Sequence, residues 1–330
     1  MTDFAMSHQV LSTLRTACNR DGSPLLESGH VLGIGIGRSA RSGVKARGDP
    51  CVKLYVDTVA RDRSLADSFP RSFEFHSAPE LPVEIEYMDQ GWAPPLHGLD
   101  SLSRAVVERR RLPGALIKGG DSAAHYLFPV GTVALALPDH LLPGRSILIS
   151  CNHVFACLNA GLVGDAILRP DYLEGGRWPR NAVGALMSFV PVNLTPNALN
   201  SVDVALAVVP AEAAAPFKVR GIGVISPQIG DDVAPGDSVQ KVGRSTGRTI
   251  GTISSVGAIV KINYRRLGFE DVTVIFEDQL VTNNMGAYGD SGSLLLNHAA
   301  QPVGLLFGGS TSHTFYNKLT NVLLKTGIRF

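Results

Sequence analysis

The chain lacks most of what would mark a secreted or polyelectrolyte-binding protein. Its four cysteines, Cys18, Cys51, Cys151 and Cys157, are spread over 330 residues. That is too few for a disulfide framework, and such scarcity points to a reducing compartment. Cys151 and Cys157 bracket His153 and are expected to stay thiols. No apolar run approaches the length of about 18 residues that a membrane-spanning helix needs; the run at 130–137 stops at Pro138-Asp139. Residues 1–8 have neither a basic start nor an apolar stretch, so no secretory signal is read there. A cytoplasmic protein without membrane contact is therefore expected. Charge of one sign is also missing, with 30 basic against 29 acidic residues. Nucleic acid is thus not an expected partner, and Arg109-Arg110-Arg111 reads as a solvated run. No Cys/His ligand spacing occurs, so neither metal nor cofactor is expected. Gly33, Gly35 and Gly37 carry no G-x-G-x-x-G fingerprint and lie in a strand pattern, which excludes a nucleotide loop.

What is present is apolar residue in short pieces, 45% of the chain, punctuated by 35 glycines and 20 prolines. Residues 7–18 place Val10, Leu11, Leu14 and Cys18 at helical spacing. The runs 31–37, 51–56 and 82–87 read as strands. Together they predict a small α+β module, followed by a Pro-rich linker from about 90 to 120. From there short apolar segments alternate with Gly, Pro, Asn and Asp, the pattern of an all-β barrel or sandwich. The predicted organisation is an N-terminal module with linker at 1–111 and a mostly β domain at 112–330. That domain divides into barrels at 112–210 and 219–330, with a terminal helix near 317–324.

Three motifs carry chemistry. Gly289-Asp290-Ser291-Gly292-Ser293 precedes the run Leu294-Leu295-Leu296. Glycine at 289 allows a tight turn, and the N–H groups of Gly289 and Ser291 are then candidates to hold an oxyanion. The same five residues also suit a plain inter-strand turn. Upstream, Ile147-Leu148-Ile149-Ser150-Cys151-Asn152-His153 ends an apolar strand on a histidine. Asp203 heads the run Val204-Ala205-Leu206-Ala207-Val208-Val209. Serine needs a neighbouring base, imidazole serves near neutral pH, and a carboxylate fixes the imidazole tautomer. Asp165 and Asp171 are rivals for the carboxylate, whereas Asp290 reads as shaping the turn.

The ordered blocks Ser-Cys-Asn-His-Val, Asp-Val-Ala-Leu and Gly-Asp-Ser-Gly-Ser resemble those of trypsin-like serine peptidases of the chymotrypsin fold. The likeness extends to Val163–Pro170, Lys241–Gly247 and Pro302–Gly309 and covers roughly 112–330. It is closer to intracellular bacterial and plant narrow-leaf type members. The resemblance implies a chymotrypsin-like double β-barrel and a serine endopeptidase with His153, Asp203 and Ser291 as catalytic triad. It also implies an oxyanion hole at Gly289 and Ser291 and a substrate pocket at Met285, Leu306, Phe307, Gly308 and Gly309. Met285 stands where trypsins carry an acid, and Leu306 where glutamate-specific relatives carry histidine. Cleavage of protein or peptide substrates after apolar residues is therefore expected. No Arg-Ile-Val-Gly-Gly activation site precedes the first barrel, and the 39 residues after Ser291 leave no room for a PDZ domain. The N-terminal module is the candidate for a regulatory contact or self-assembly. The rival readings are a binding protein on a peptidase scaffold that no longer cuts, and a small-ester hydrolase.

Overall fold

Valine, isoleucine and leucine alternate with small residues along most of the chain, and such runs pair as strands rather than coil into helices. The computed structural model describes residues 26, 29–40, 49–60, 69–75, 78–93, 115–230, 232–264 and 270–330. The helix expected at 7–18 and the arginine run at 109–111 lie outside these residues. In chain order the first strands are β1 (Val31–Arg38), β2 (Pro50–Asp57), β3 (Ser72–Phe75), β4 (Ala78–Met88) and β5 (Trp92–Ala93). The next group comprises β6 (Ile117–Gly119), β7 (Ala124–His125), β8 (Leu135–Pro138) and β9 (Arg145–Ser150), then the one-turn helix α1 (Asn152–Phe155). It continues with β10 (Ala166–Leu168), β11 (Ala182–Phe189), β12 (Leu199–Asn200) and β13 (Ala205–Pro210). The last part holds β14 (Ala214–Val219), β15 (Gly223–Val224), β16 (Ser238–Gly243), β17 (Gly247–Tyr264) and β18 (Val272–Asn283). It ends with β19 (Leu294–Asn297), β20 (Pro302–Gly309), β21 (His313–Lys318) and the helix α2 (Leu319–Thr326).

The molecule is mostly β. The first barrel is a six-stranded sheet in the order β7-β10-β11-β13-β9-β8. In the second barrel β17, β18, β21, β20, β19 and β16 follow one another, and β16 pairs back to β17, so the ring closes. Closure removes exposed edges. The fold class is the double β-barrel that the sequence predicts. The helix α2 ends on Gly327 at φ 71°, whose N–H bonds the Leu323 carbonyl at 2.8 Å. This is the left-handed stop that glycine serves best. No helix among the described residues is long and apolar enough to cross a membrane.

The N-terminal strands extend the second barrel. The strand β17 is 18 residues long, and β16 covers only its first third, from Gly247 to Thr252. Beyond that point β1 takes over the free edge, matching Gly33 to Val260 and Gly37 to Ser255. Strands β2, β4 and β3 then continue the sheet outward. The register explains the glycines at 33, 35 and 37. A Cβ at Gly35 would press on Ser255 and Ala258, and one at Gly37 on Lys53 and the Ser254 carbonyl. Ile34, Ile36, Leu54 and Val56 bury a shared face against Ile259 and Ile275 of the barrel. Leu32, Tyr55 and Met88 reach into the main core. This long-range pairing leaves no mark in the local sequence pattern.

Candidate active site

Strand β9 delivers His153. After Ser150 the backbone turns through α1, and the Asn152 side chain ties that turn down. Its amide donates to Asn159 Oδ1 and to the Val190 carbonyl, both at 2.8 Å. The imidazole is 2% exposed and lies edge-on to Phe128 and Tyr264, with centroids 5.9 and 5.6 Å away. Its Nδ1 meets Asp203 Oδ2 at 2.5 Å, and the His153 backbone N–H donates to Asp203 Oδ1 at 3.1 Å. Both carboxylate oxygens therefore address one residue, which fixes the ring's orientation and leaves Nε2 facing away from the aspartate.

Asp203 itself is fully buried two residues ahead of β13. Tyr264, at the end of β17, donates its hydroxyl to Asp203 Oδ2 at 2.6 Å. The Asp203 N–H donates to Asn317 Oδ1 at 2.9 Å, and Asn317 donates in turn to Gln279 Oε1 at 2.8 Å. Burial by itself would raise the Asp203 carboxyl. The His153 ring and the hydrogen bonds from His153 and Tyr264 outweigh it and hold the group below the ordinary aspartate range. Burial, reinforced by the Asp203 charge, pushes the Tyr264 phenol well up, so it stays a donor. The rival aspartates have other partners. Asp165 meets His125 Nε2 at 3.0 Å, and Asp171 meets Arg244 Nε at 3.0 Å.

His153 Nε2 is buried and has no hydrogen-bond partner among the described residues. In particular, no hydrogen bond joins it to Ser291. The two lie in one neighbourhood through the Leu306 carbonyl, which accepts from the Cys151 thiol at 3.0 Å and from the Gly292 N–H at 2.7 Å. A buried nitrogen without a partner is costly in an inert core and is where a reacting proton can be received. Ligand atoms of Cys151, His153 and Asp203 fall within 4.8 Å of one another. Burial pushes the Cys151 thiol well up, away from the thiolate a metal needs, and Nδ1 is already engaged by Asp203. The set fits a hydrogen-bonded pair better than a metal centre.

The turn carrying Ser291 is held from inside. Gly289 sits at φ 94°, and a Cβ there would strike Ser245 and Val130. Gly292 has the same φ and lies against the Thr132 carbonyl and Ser150. Only glycine meets both demands. Asp290 is fully buried and pairs with the buried Lys241 ammonium at 2.8 Å. Its carboxylate also accepts from the Thr246 hydroxyl at 2.6 Å and from the N–H groups of Ser245, Thr246 and Ala287. Burial pushes Lys241 down, with Asp290 opposing it. Thr132 links the turn to the first barrel: its hydroxyl donates to the Gly289 carbonyl at 2.7 Å and its N–H to the Ser291 carbonyl at 2.9 Å. Among the described residues the N–H groups of Gly289 and Ser291 donate to nothing.

Beside Ser291 lies a cleft of about 30 Å³, lined by Gly286, Leu306, Gly308, Gly309 and Thr314 among others. Met285 and Phe307, expected in this pocket, pack into the core instead. The register of β20 against β21 slips between Leu306 and Gly308, and at this irregularity Leu306 lines the cleft while Phe307 joins the main core. Phe307 turns inward against Phe276, 4.7 Å between ring centres. Met285 is buried in a cluster with Leu306 and Tyr316, and its sulfur receives the Tyr316 hydroxyl at 3.7 Å. Sequence reasoning missed Tyr264, Asn317 and Lys241 as partners of the site. Tyr264 and Asn317 are far from the motifs in sequence and no local signal marks them, whereas Lys241 opens the stretch Lys241–Gly247, which the resemblance had picked out without giving the lysine a role.

No protein-family model matches the chain, and no curated protein is similar to it in sequence. Several solved structures are similar in fold. A chymotrypsin from Cellulomonas bogoriensis shares 17% identity at a TM-score of 0.45, over 66% of this chain and 98% of that one. Protease A of Thermobifida fusca shares 18% at 0.46, over 65% and 98%. A Nocardiopsis protease shares 19% at 0.44, over 65% and 98%.

Proposed function

We propose that the chain is a serine endopeptidase in which Ser291 is the nucleophile, His153 the general base and Asp203 the group that orients it. The observation that carries this reading is the buried imidazole, engaged by Asp203 on Nδ1 and unengaged on Nε2, beside a rigid glycine turn bearing a serine. In the reaction Ser291 Oγ attacks the scissile carbonyl carbon and its proton passes to His153 Nε2. The resulting imidazolium faces the Asp203 carboxylate. The uncommitted N–H groups of Gly289 and Ser291 take the oxyanion. His153 then returns the proton to the leaving amine, and water repeats the cycle on the acyl-enzyme. Catalytic hydrogen bonds are commonly loose before substrate binds, which accommodates the missing contact between His153 and Ser291.

A cleft with room for about two or three waters and no charged lining favours a small or medium apolar side chain on the acyl side of the cut. An unpaired charge there would be expensive. The test is a peptide library digested by the wild type and by Ser291→Ala. Cleavage after small apolar residues that vanishes in the variant supports the reading. Equal cleavage by both proteins, with contaminants removed, ends it. The missing Ser291 hydrogen bond favours a second reading, a peptidase scaffold that binds without cutting; peptide binding by the wild type with no product formed would select it.

A further inference from the structure

Strand β5 occupies an edge that a substrate would want. On one side β20 is covered by β21, which pairs as far as Gly309↔Thr314. On the other side β19 ends at Leu294↔Leu305, and the nucleophile turn takes Leu306 through the Gly292 N–H and the Ser293 carbonyl. Past that point the edge from Phe307 to Gly309 runs alongside the cleft. Extended peptides bind by adding a strand to just such an edge. Here Trp92 already pairs antiparallel with Gly309 while also pairing with Asn263 of β17.

The segment leading to Trp92 is fixed by several contacts. Glu86 meets His313 Nε2 at 2.9 Å. Asp89 Oδ1 accepts from the Thr311 N–H at 2.9 Å and from its hydroxyl at 2.6 Å. The Gly91 carbonyl accepts from the Asn263 N–H at 3.0 Å. Gly91 is itself pressed so close to Phe315 and Ile262 that a Cβ would collide with the Phe315 ring. Thr311 lies in the turn that follows the cleft wall at Gly309 and Ser310, and His313 opens β21 directly after it.

We propose that the segment from Asp89 to Ala93 is an internal strap that closes the acyl-side substrate edge at its third position. An antiparallel chain whose first acyl-side residue lies beside Phe307 places its second beside Gly308 and its third beside Gly309, one strand step of about 3.4 Å each. Trp92 holds that third place. The enzyme therefore reads two acyl-side residues, and the rest of the substrate must leave the sheet. This inference rests on the peptidase reading above.

The experiment measures kcat/KM for peptides with the same scissile residue and leaving group and with two, three or four acyl-side residues. The full-length wild type is compared with Trp92→Pro, which removes a strand donor, and with Asp89→Ala, which cuts the anchor at Thr311. In the wild type, extension beyond two residues changes kcat/KM by less than about twofold. In a strap variant that labels normally with a fluorophosphonate, the third residue raises it about tenfold, the worth of a pair of main-chain hydrogen bonds. A wild type that already gains tenfold from the third residue overturns the strap, as does an equally flat profile in both labelled variants. Two independent variants guard against one failing to fold, and the wild-type series decides against the proposal on its own. A wild type that cleaves no peptide and takes no label overturns the peptidase reading itself, and this inference with it.

Discussion

Asp203 and Asp290 are both fully buried carboxylates, yet their surroundings differ in one respect. Asp290 faces a lysine, a hydroxyl and three backbone N–H groups, all of which end at the carboxylate. Asp203 faces Tyr264 and a histidine whose far nitrogen has no partner among the described residues. The first arrangement is closed and serves to hold a turn. The second is open at one atom and can pass a proton. Burial is the same in both, so the two differ not in burial but in the unpartnered His153 nitrogen at the end of one network.

The widest gap between the two regions appears in turnover. His153→Ala should lower kcat for a peptide substrate by about 10⁴-fold or more, a loss far beyond what its effect on the urea midpoint explains. A His153→Ala protein that cleaves within tenfold of wild type would erase the distinction. Removing the partner of Asp290 should do the opposite. Lys241→Met leaves a buried carboxylate without its cation and should cost about 3 kcal/mol of stability in urea unfolding. An unchanged midpoint would mean that the turn does not depend on this pair.

These two predictions also show what could be read from the sequence and what could not. The pairing of His153 with Asp203 was legible because a buried imidazole calls for a carboxylate, and the turn around Ser291 because only glycine fits at 289 and 292. Strand runs such as 31–37 and 51–56 were legible from their composition. The Lys241–Asp290 pair, the hydroxyl of Tyr264 and the pairing of β1 with β17 were not. Each joins residues that only the folded sheet brings together, and any buried lysine or tyrosine looks alike in a string. Leu306 and Phe307 were assigned to one pocket because a motif match does not show which side chain the fold turns into the core at the irregularity between Leu306 and Gly308.

A smaller effect should come from Tyr264→Phe. It deletes one charge-assisted hydrogen bond to Asp203, so it should cost about 1–3 kcal/mol in stability or transition-state energy. The split between urea midpoint and kcat tells whether the hydroxyl serves the fold or the reaction. The smallest effect concerns the contact between the N-terminal strands and the second barrel. Burial works to raise the Glu86 carboxyl, but hydrogen bonds from His313 and Lys53 bring it down to about 2. A lowered carboxyl adds stability above its unfolded value of about 4.3 and loses it as pH falls toward 2. The wild type should exceed Glu86→Gln by on the order of 1–2 kcal/mol near neutral pH, after allowing for the partial exposure of the side chain. The difference should shrink between about pH 4 and 2. A gap that stays constant down to pH 2 would detach Glu86 from the barrel contact.

The most direct test of the open region is to treat the full chain with a fluorophosphonate and locate the adduct by peptide mass spectrometry. One adduct is expected, on Ser291, formed by the wild type and lost in His153→Ala. An adduct on another residue, or equal labelling of Ser291 without His153, would contradict it.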